Sequence, residues 1–372
     1  MSLIFAALGV FMVFAVLSVI VLVHEFGHFI VAKWAGVWVE EFGLGLPPRV
    51  WGRKIGETIY SINALPIGGF VRLHGEVTGE GVSKPSRAFL NKPKKWRVAV
   101  SLAGIFMNFV LAVFCFSVFY WYKGVPIETT NVKVIEISEG SPAQIAGFVV
   151  GDIVRKVNKT EITATNDFVK SIGENKGKYT NIEVERGGEI RKFLLTPREN
   201  PPEGEGPLGV AISTTAISFP PFWKRPFVGA YYGTKDTLNL TKAILASFLQ
   251  IGHEVTTTGQ IPKEVVGPAG IFAFIYEIRK LGVEPLINLV GMISLNLAIF
   301  NLIPFPPLDG SRVLFIIIEA ITRKRVPTKI EEKIHAVGMI LLLILMLVIS
   351  SREIPRLIKA GSTSRFVDEM VK

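Results

Sequence analysis

Cysteine occurs once in the 372 residues, as Cys115, so no disulfide can form within the chain and zinc sites built on two or four cysteines are excluded. Histidine is scarce as well. With five in the chain, any metal must be held by a few imidazoles and by carboxylates. Charged residues are only 19% of the sequence against 49% hydrophobic ones, too few to coat a soluble protein of this length. The mean hydropathy of +0.42 points the same way, to a membrane protein. Charge is missing altogether from Leu3 to Val23, long enough to cross a bilayer. This run lacks a basic leader and a small-residue cleavage site, and it opens into a charged motif, so it reads as a retained span.

The net charge of +10 could suggest nucleic acid, but the basic residues are not arranged for it. Residues 33–97 carry eleven Lys/Arg against five Asp/Glu, between one apolar span and the next. Lys/Arg-rich loops of that kind mark the cytoplasmic side of a membrane, and no nucleic-acid partner is expected.

At the end of the first span stands His24-Glu25-Phe26-Gly27-His28. Residues four apart share one face of a helix, so both imidazoles can address one ion, while Glu25 points elsewhere and can hold a water. Zinc peptidases use this arrangement, two neutral nitrogen ligands and a carboxylate to take a proton from water. Ionisable groups at membrane depth are costly unless they bind metal or face a polar cavity. Val98–Tyr122 is the second span; its Gly104 and Asn108, four apart, read as helix-packing residues. Leu286–Ile303 is the third. It runs into Asn301-Leu302-Ile303-Pro304-Phe305-Pro306-Pro307-Leu308-Asp309-Gly310, whose prolines break the helix where it leaves the membrane. Asp309 alone would be a solvated Asp-Gly turn; beside a His pair lacking a third ligand it completes a site of two imidazoles and a carboxylate, with one position open. Ile334–Ser350 is the fourth span.

Between the spans the pattern changes. Residues 37–75 read as short β runs with a turn at Pro66-Ile67-Gly68-Gly69, either an ordering hairpin or an edge strand that receives an extended peptide. Residues 76–97 form a basic stretch suited to anionic headgroups. From 123 to 215 the composition is that of a small soluble mixed α/β module, and 216–285 suggest amphipathic helices on the membrane or against the module, interrupted at Pro262 and Gly267-Pro268. Residues 311–333 read as a basic loop and 351–372 as a tail. The expected fold is therefore a four-span α-helical membrane protein with a membrane-associated β region and an inserted α/β module. Counting crossings places the metal motif toward the cytoplasm and the module outside.

With these motifs the chain resembles the site-2 proteases, intramembrane zinc metalloproteases, in the bacterial branch typified by the sigma-E-regulating protease. The likeness rests on His24–His28, Asn301…Leu308-Asp309-Gly310, the Gly-Gly-Phe-Val-Arg-Leu run at 68–73 and Gly-Pro-Ala-Gly at 267–270. It implies one Zn2+ bound by His24, His28 and Asp309, Glu25 as general base, and Asn301 binding substrate or the developing oxyanion. Gly68, Gly69, Phe70 and Val71 would belong to a membrane-dipping β-loop that presents the unwound substrate. The module is similar to a circularly permuted PDZ domain, with Leu208, Gly209 and Val210 as its peptide loop. Relatives often have Asn-Gly where this chain has Asn158-Lys159, and Ala-Gly-Pro where it has Ala103-Gly104-Ile105. The implied partners are transmembrane substrates already trimmed by another protease, anti-sigma-like or signal-peptide remnants, in the bacterial inner membrane. The competing readings are a non-catalytic scaffold with a structural metal, and a zinc transporter; the first requires a fourth protein ligand, the second a file of intramembrane carboxylates.

Overall fold

The computed structural model describes residues 2–76, 82–259 and 266–371; part of the basic stretch after Glu76, and Pro262, lie outside them. The chain divides into two compact units, one made of residues 1–123 and 221–372 and the other of Gly124–Pro220. Among the described residues four helices are long and apolar enough to cross a membrane.

In the first unit, α1 (Ser2–Trp34) continues without a break through the His24–His28 turn and ends at Gly36, whose φ of +67° only glycine adopts cheaply. Its 33 residues span about 50 Å, more than a hydrocarbon core of about 30 Å. Helix α2 (Lys94–Lys123) packs against it, and Gly27 makes this possible: a Cβ there would collide with the Ala103 carbonyl.

Strands β1 (Val39–Ile55) and β2 (Thr58–Leu73) form a long antiparallel hairpin, and the expected turn at 66–69 is corrected. The hairpin turns at Gly56-Glu57, and 66–69 lie within β2. Each strand folds back on itself, so residues 41–44 pair with 59–62 on one side and with 69–72 on the other. A chain with Pro47-Pro48 in one strand and Gly68-Gly69 in the other can bend there without losing a regular ladder. The far rim of this sheet is 69–73. Its inner end is held by the buried cluster of Ala32, Val37, Val39, Leu73, Phe89 and Val100. His74 belongs to this anchor and not to the metal residues, with its Nδ1 2.6 Å from Glu40 and its ring against Trp38. Arg87 grips Glu57 through both guanidinium nitrogens, and that contact, joined by Lys33, lowers the Glu57 carboxyl to about 2.

Three later segments depart from the sequence reading. Residues 225–258 are one helix, α5, packed lengthwise on α2 and on α7 (Val283–Leu302), instead of surface helices. Small residues decide this: a Cβ at Gly229 or Gly233 would meet the Ser117 backbone at 2.6 and 2.5 Å, so the two helices touch along their backbones. Gly267-Pro268 begins helix α6 (Pro268–Ile278), with proline in the first turn where its missing N–H costs nothing. The supposed loop 311–333 contains helix α8 (Asp309–Thr322), and the last span is the front of a longer helix, α9 (Thr328–Ala360), followed by α10 (Thr363–Val371) in place of an irregular tail. Helix α9 turns nearly all its apolar surface outward, as a lipid-facing helix does. Its buried Glu353 accepts N–H bonds from Gly267 (2.6 Å) and Gly270 (3.2 Å), a carboxylate seated on the N-terminus of α6.

In the second unit, β3 (Val125–Ile137), β4 (Ile153–Val157), β5 (Thr160–Glu161), β6 (Thr180–Arg186), β7 (Glu189–Leu195) and β8 (Val210–Ser218) make one antiparallel sheet in the order β7-β6-β4-β3-β8, with β5 on β4. Helix α3 (Pro142–Ala146) is capped by the Ser141 side chain and stopped by Gly147, and α4 (Thr165–Glu174) lies near β4 and β8. Inward residues such as Val132, Val134, Val154, Ile182, Phe168 and Leu208 form its core. The last strand extends to Ser218, past the expected limit of 215. In the Asn158-Lys159 turn only Asn158 has positive φ.

Asp152 is wholly buried here, bound by Arg186 (2.7 Å twice) and by the Val149 N–H (3.0 Å). Burial alone would raise its carboxyl, but these donors outweigh that and hold it below the ordinary range. The stability it provides is therefore present above about pH 4 and lost as pH falls through the lowered folded value. Asp152→Ala should cost this unit about 2–3 kcal/mol at pH 7, and chemical unfolding of both variants at pH 7 and at pH 3 should show the gap narrowing in acid.

Candidate metal centre

His24 and His28 lie one turn apart on α1, both buried, and their Nε2 atoms are 3.2 Å from each other. Asp309, the first residue of α8 and 285 positions away from His24, brings Oδ2 to 2.9 Å from His24 Nε2 and 3.3 Å from His28 Nε2. Tetrahedral ligands about 2.0–2.1 Å from zinc stand roughly 3.3 Å apart. The three lone-pair atoms are therefore spaced as a zinc ion needs, and among the described residues this is the one such cluster of His, Cys, Asp and Glu.

The surroundings fix the tautomers. His28 Nδ1–H donates to the Val100 carbonyl at 2.7 Å, which leaves Nε2 as the lone pair. His24 Nδ1 faces the Asn108 amide at 3.3 Å, while Asn108 Oδ1 is buried with no partner among the described residues. Turning the amide over places Oδ1 on His24 Nδ1–H, satisfies the orphaned oxygen and frees His24 Nε2 for a metal. Val100, Gly104 and Asn108 thus form a single stripe on α2 that faces both rings. At Gly104 a Cβ would overlap His28 Nε2 and lie 2.7 Å from His24 Nε2, inside the space between the acceptors. Packing, the role that sequence suggests for Gly104 and Asn108, is thus only part of what they do. The signal available was their four-residue spacing in phase with Val100 on a helix beside the His pair.

Glu25, half-buried, leaves α1 on a different side from the two imidazoles. A methyl group placed on Gly69 would lie 3.7 Å from the Glu25 Cγ, so the rim strand passes beside this side chain, and 3.0 Å from the Gly43 carbonyl oxygen, a crowding within the sheet that glycine avoids. Gly68, with φ of +77°, stands over Val21 of α1, Phe70 covers Gly43, and Val71 packs on the cluster at the sheet's inner end. Asn301 is half-buried in the last turn of α7, and no hydrogen bond joins it to His24, Glu25 or His28 among the described residues. In the second unit Leu208 and Gly209 turn their carbonyls inward, to the N–H groups of Ala143 (3.2 Å) and Ser138 (2.9 Å), and Val210 opens β8.

Two imidazoles and a glutamate on a helix of membrane-spanning length, met by a carboxylate from the short helix after another such span, define the class of intramembrane metalloproteases. The family model of peptidase family M50 matches residues 12–345, and the chain belongs to that family. It is 35% identical over 347 residues to a protein of Clostridium perfringens named as a zinc metalloprotease, covering 92% of this chain and 98% of that one. A protein of Clostridium acetobutylicum with the same kind of name is 33% identical over 340 residues, 91% of this chain and 94% of its own. Zinc metalloprotease RasP of Oceanobacillus iheyensis is 27% identical over 420 residues, 91% of this chain and 97% of that one. The protein is thus a zinc metalloprotease of the site-2 type, acting in a membrane.

Because the Gly104 methylene hydrogens border the space between the three acceptors, Gly104→Ala should lower bound zinc at least about tenfold. Metal content of purified protein measured by plasma mass spectrometry checks this, with Ala103→Gly, one residue along, retaining metal.

Proposed function

We propose that His24, His28 and Asp309 hold the zinc, that Glu25 is the proton-transfer group, and that the protein cuts peptide bonds within transmembrane segments. The observation that carries this is the convergence of His24 Nε2, His28 Nε2 and Asp309 Oδ2 on one point beside a carboxylate that belongs to none of their bonds. Zinc held by these residues would supply Lewis acidity and make a water easier to deprotonate. Glu25 takes the proton from the attacking water and returns it to the leaving amine, a role its place one residue from His24 allows. Asn301 steadies the substrate or its developing oxyanion from the end of α7.

A transmembrane helix hides its peptide bonds in its own hydrogen bonds, so it must be drawn out before hydrolysis. Strand 68–71 is suited to receiving it. Residues 41–44 are bonded on both sides, which leaves 69–72 as a rim with no further strand paired to it among the described residues, passing beside Glu25. The second unit acts as a PDZ-like tail binder or filter. Its strand β8 is the edge of the sheet with α4 nearby, and Leu208-Gly209-Val210 leads into that edge. The substrates are membrane proteins shortened beforehand by another protease, of the anti-sigma or signal-peptide-remnant kind. The Lys/Arg-rich loops support an orientation with the metal residues toward the cytoplasmic side of a bacterial inner membrane. A scaffold with a structural metal would close its site with a fourth protein ligand, whereas the cluster comprises three side chains among the described residues.

Glu25→Gln should keep one zinc per chain and lower cleavage of a single-span reporter in proteoliposomes by about 10²–10⁴-fold. Wild-type turnover by that variant would remove Glu25 from the chemistry. A second prediction concerns the module. Tail peptides titrated onto the whole protein should shift backbone amide signals of β8 and α4 first, and an edge that stays silent would rule out strand addition there.

A further inference from the structure

Resting on the reading of 68–71 as the substrate strand, we infer that Glu76 and Arg312 form a positioning couple that sets the height of that strand against Asp309. Glu76 sits three residues beyond the end of β2 and uses its two carboxylate oxygens differently. One accepts the Leu73 N–H at 3.4 Å, while the Glu76 N–H donates back to the Leu73 carbonyl at 3.2 Å, so this carboxylate is fixed to the strand end. The other oxygen pairs with the Arg312 guanidinium. Arg312 is one turn along α8 from Asp309, so the same helical face carries the metal-facing carboxylate and the cation.

The couple therefore joins the two parts that must meet for hydrolysis, the strand that presents the peptide bond and the helix that brings the third acceptor. The other end of α8 is tied separately, Glu319 to Arg97 of α2 at 2.6 Å, so the Glu76–Arg312 pair is the contact at the end that carries Asp309. Ordinary structural ion pairs lie on an open surface, where they contribute little. This one faces a cavity of about 280 Å³ that Glu331 and His335 of α9 also line. Glu76 is largely enclosed there and held at both oxygens while the Arg312 side chain keeps an exposed edge, so the pair contributes geometry more than stability. A misplacement of about 1 Å between a bound substrate and the groups acting on it can cost on the order of 10²-fold in rate.

The test compares Arg312→Gln, Arg312→Lys and Glu76→Gln in proteoliposomes with the single-span reporter, alongside Glu25→Gln. Arg312→Gln and Glu76→Gln should retain one zinc per chain and a KM within about twofold, with kcat lower by roughly 10–100-fold. Arg312→Lys, which can still reach Glu76, should recover most of the loss. Independently of turnover, spin labels at Arg72 and Ile317 in a Cys115→Ser background should give one narrow distance distribution, broadened by Arg312→Gln and restored by Arg312→Lys. The inference is overturned if Arg312→Gln loses zinc together with activity, if it turns over like wild type, or if the distance distribution does not change. Failure of the hydrolytic reading itself looks different: Glu25→Gln would then cut the reporter as fast as wild type, whatever Arg312 does.

Discussion

Everything at the metal centre depends on how closely α1 and α2 approach. Without a side chain at Gly27 the α2 backbone comes within contact of α1, and without one at Gly104 the two imidazoles have somewhere to go. The close approach also brings the Val100 carbonyl and the Asn108 amide to the outer nitrogens of the two rings, which orients both lone pairs inward. Packing and ring tautomer are thus set by the same contact. In a hydrophobic interior, a backbone carbonyl and an amide side chain on the outer nitrogens keep two imidazoles aligned.

Asp309 reaches this place because α7 ends early. The Pro304–Pro307 segment stops the helix, and a fresh one begins at Asp309, close-packed enough that a Cβ on Gly310 would meet the Leu302 and Ile303 carbonyls. Gly338 of α9 leans on the same segment, against the Pro306 carbonyl. Irregular backbone of this kind is tolerated at such depth where protein surrounds it. The acceptor is therefore delivered by a break in secondary structure, while the imidazoles are delivered by a helix that continues unbroken past Val23.

The spans, the His pair and the aspartate were legible because each is a local pattern: an uncharged run, a four-residue spacing, a proline-bounded Leu-Asp-Gly. The α/β module was legible in outline for the same reason, since alternation and glycine stops mark its strands and α3. What sequence hid was decided by distant neighbours. Whether residues 225–258 lie on a membrane or along α2 turns on Gly229 and Gly233 fitting the Ser117 backbone, which no periodicity within α5 reveals. The turn expected at Gly68-Gly69 lies inside β2, where Gly68 takes a positive φ and Gly69 allows close approach to Gly43, instead of at a hairpin reversal. Asn108 looked like helix glue because amides usually are; its role beside His24 appears only once α1 is placed against it.

The 285 positions between His24 and Asp309 have a bearing on how the protein is made. At about 5–20 residues per second a ribosome needs roughly 15–60 s to progress from the first of these side chains to the last. During that interval the nascent chain already sits in the bilayer with two imidazoles and a glutamate, but without the acceptor that completes the set. A cluster assembled in this order cannot close until residue 309 has been made, so its two imidazoles wait on a carboxylate that arrives last of the three.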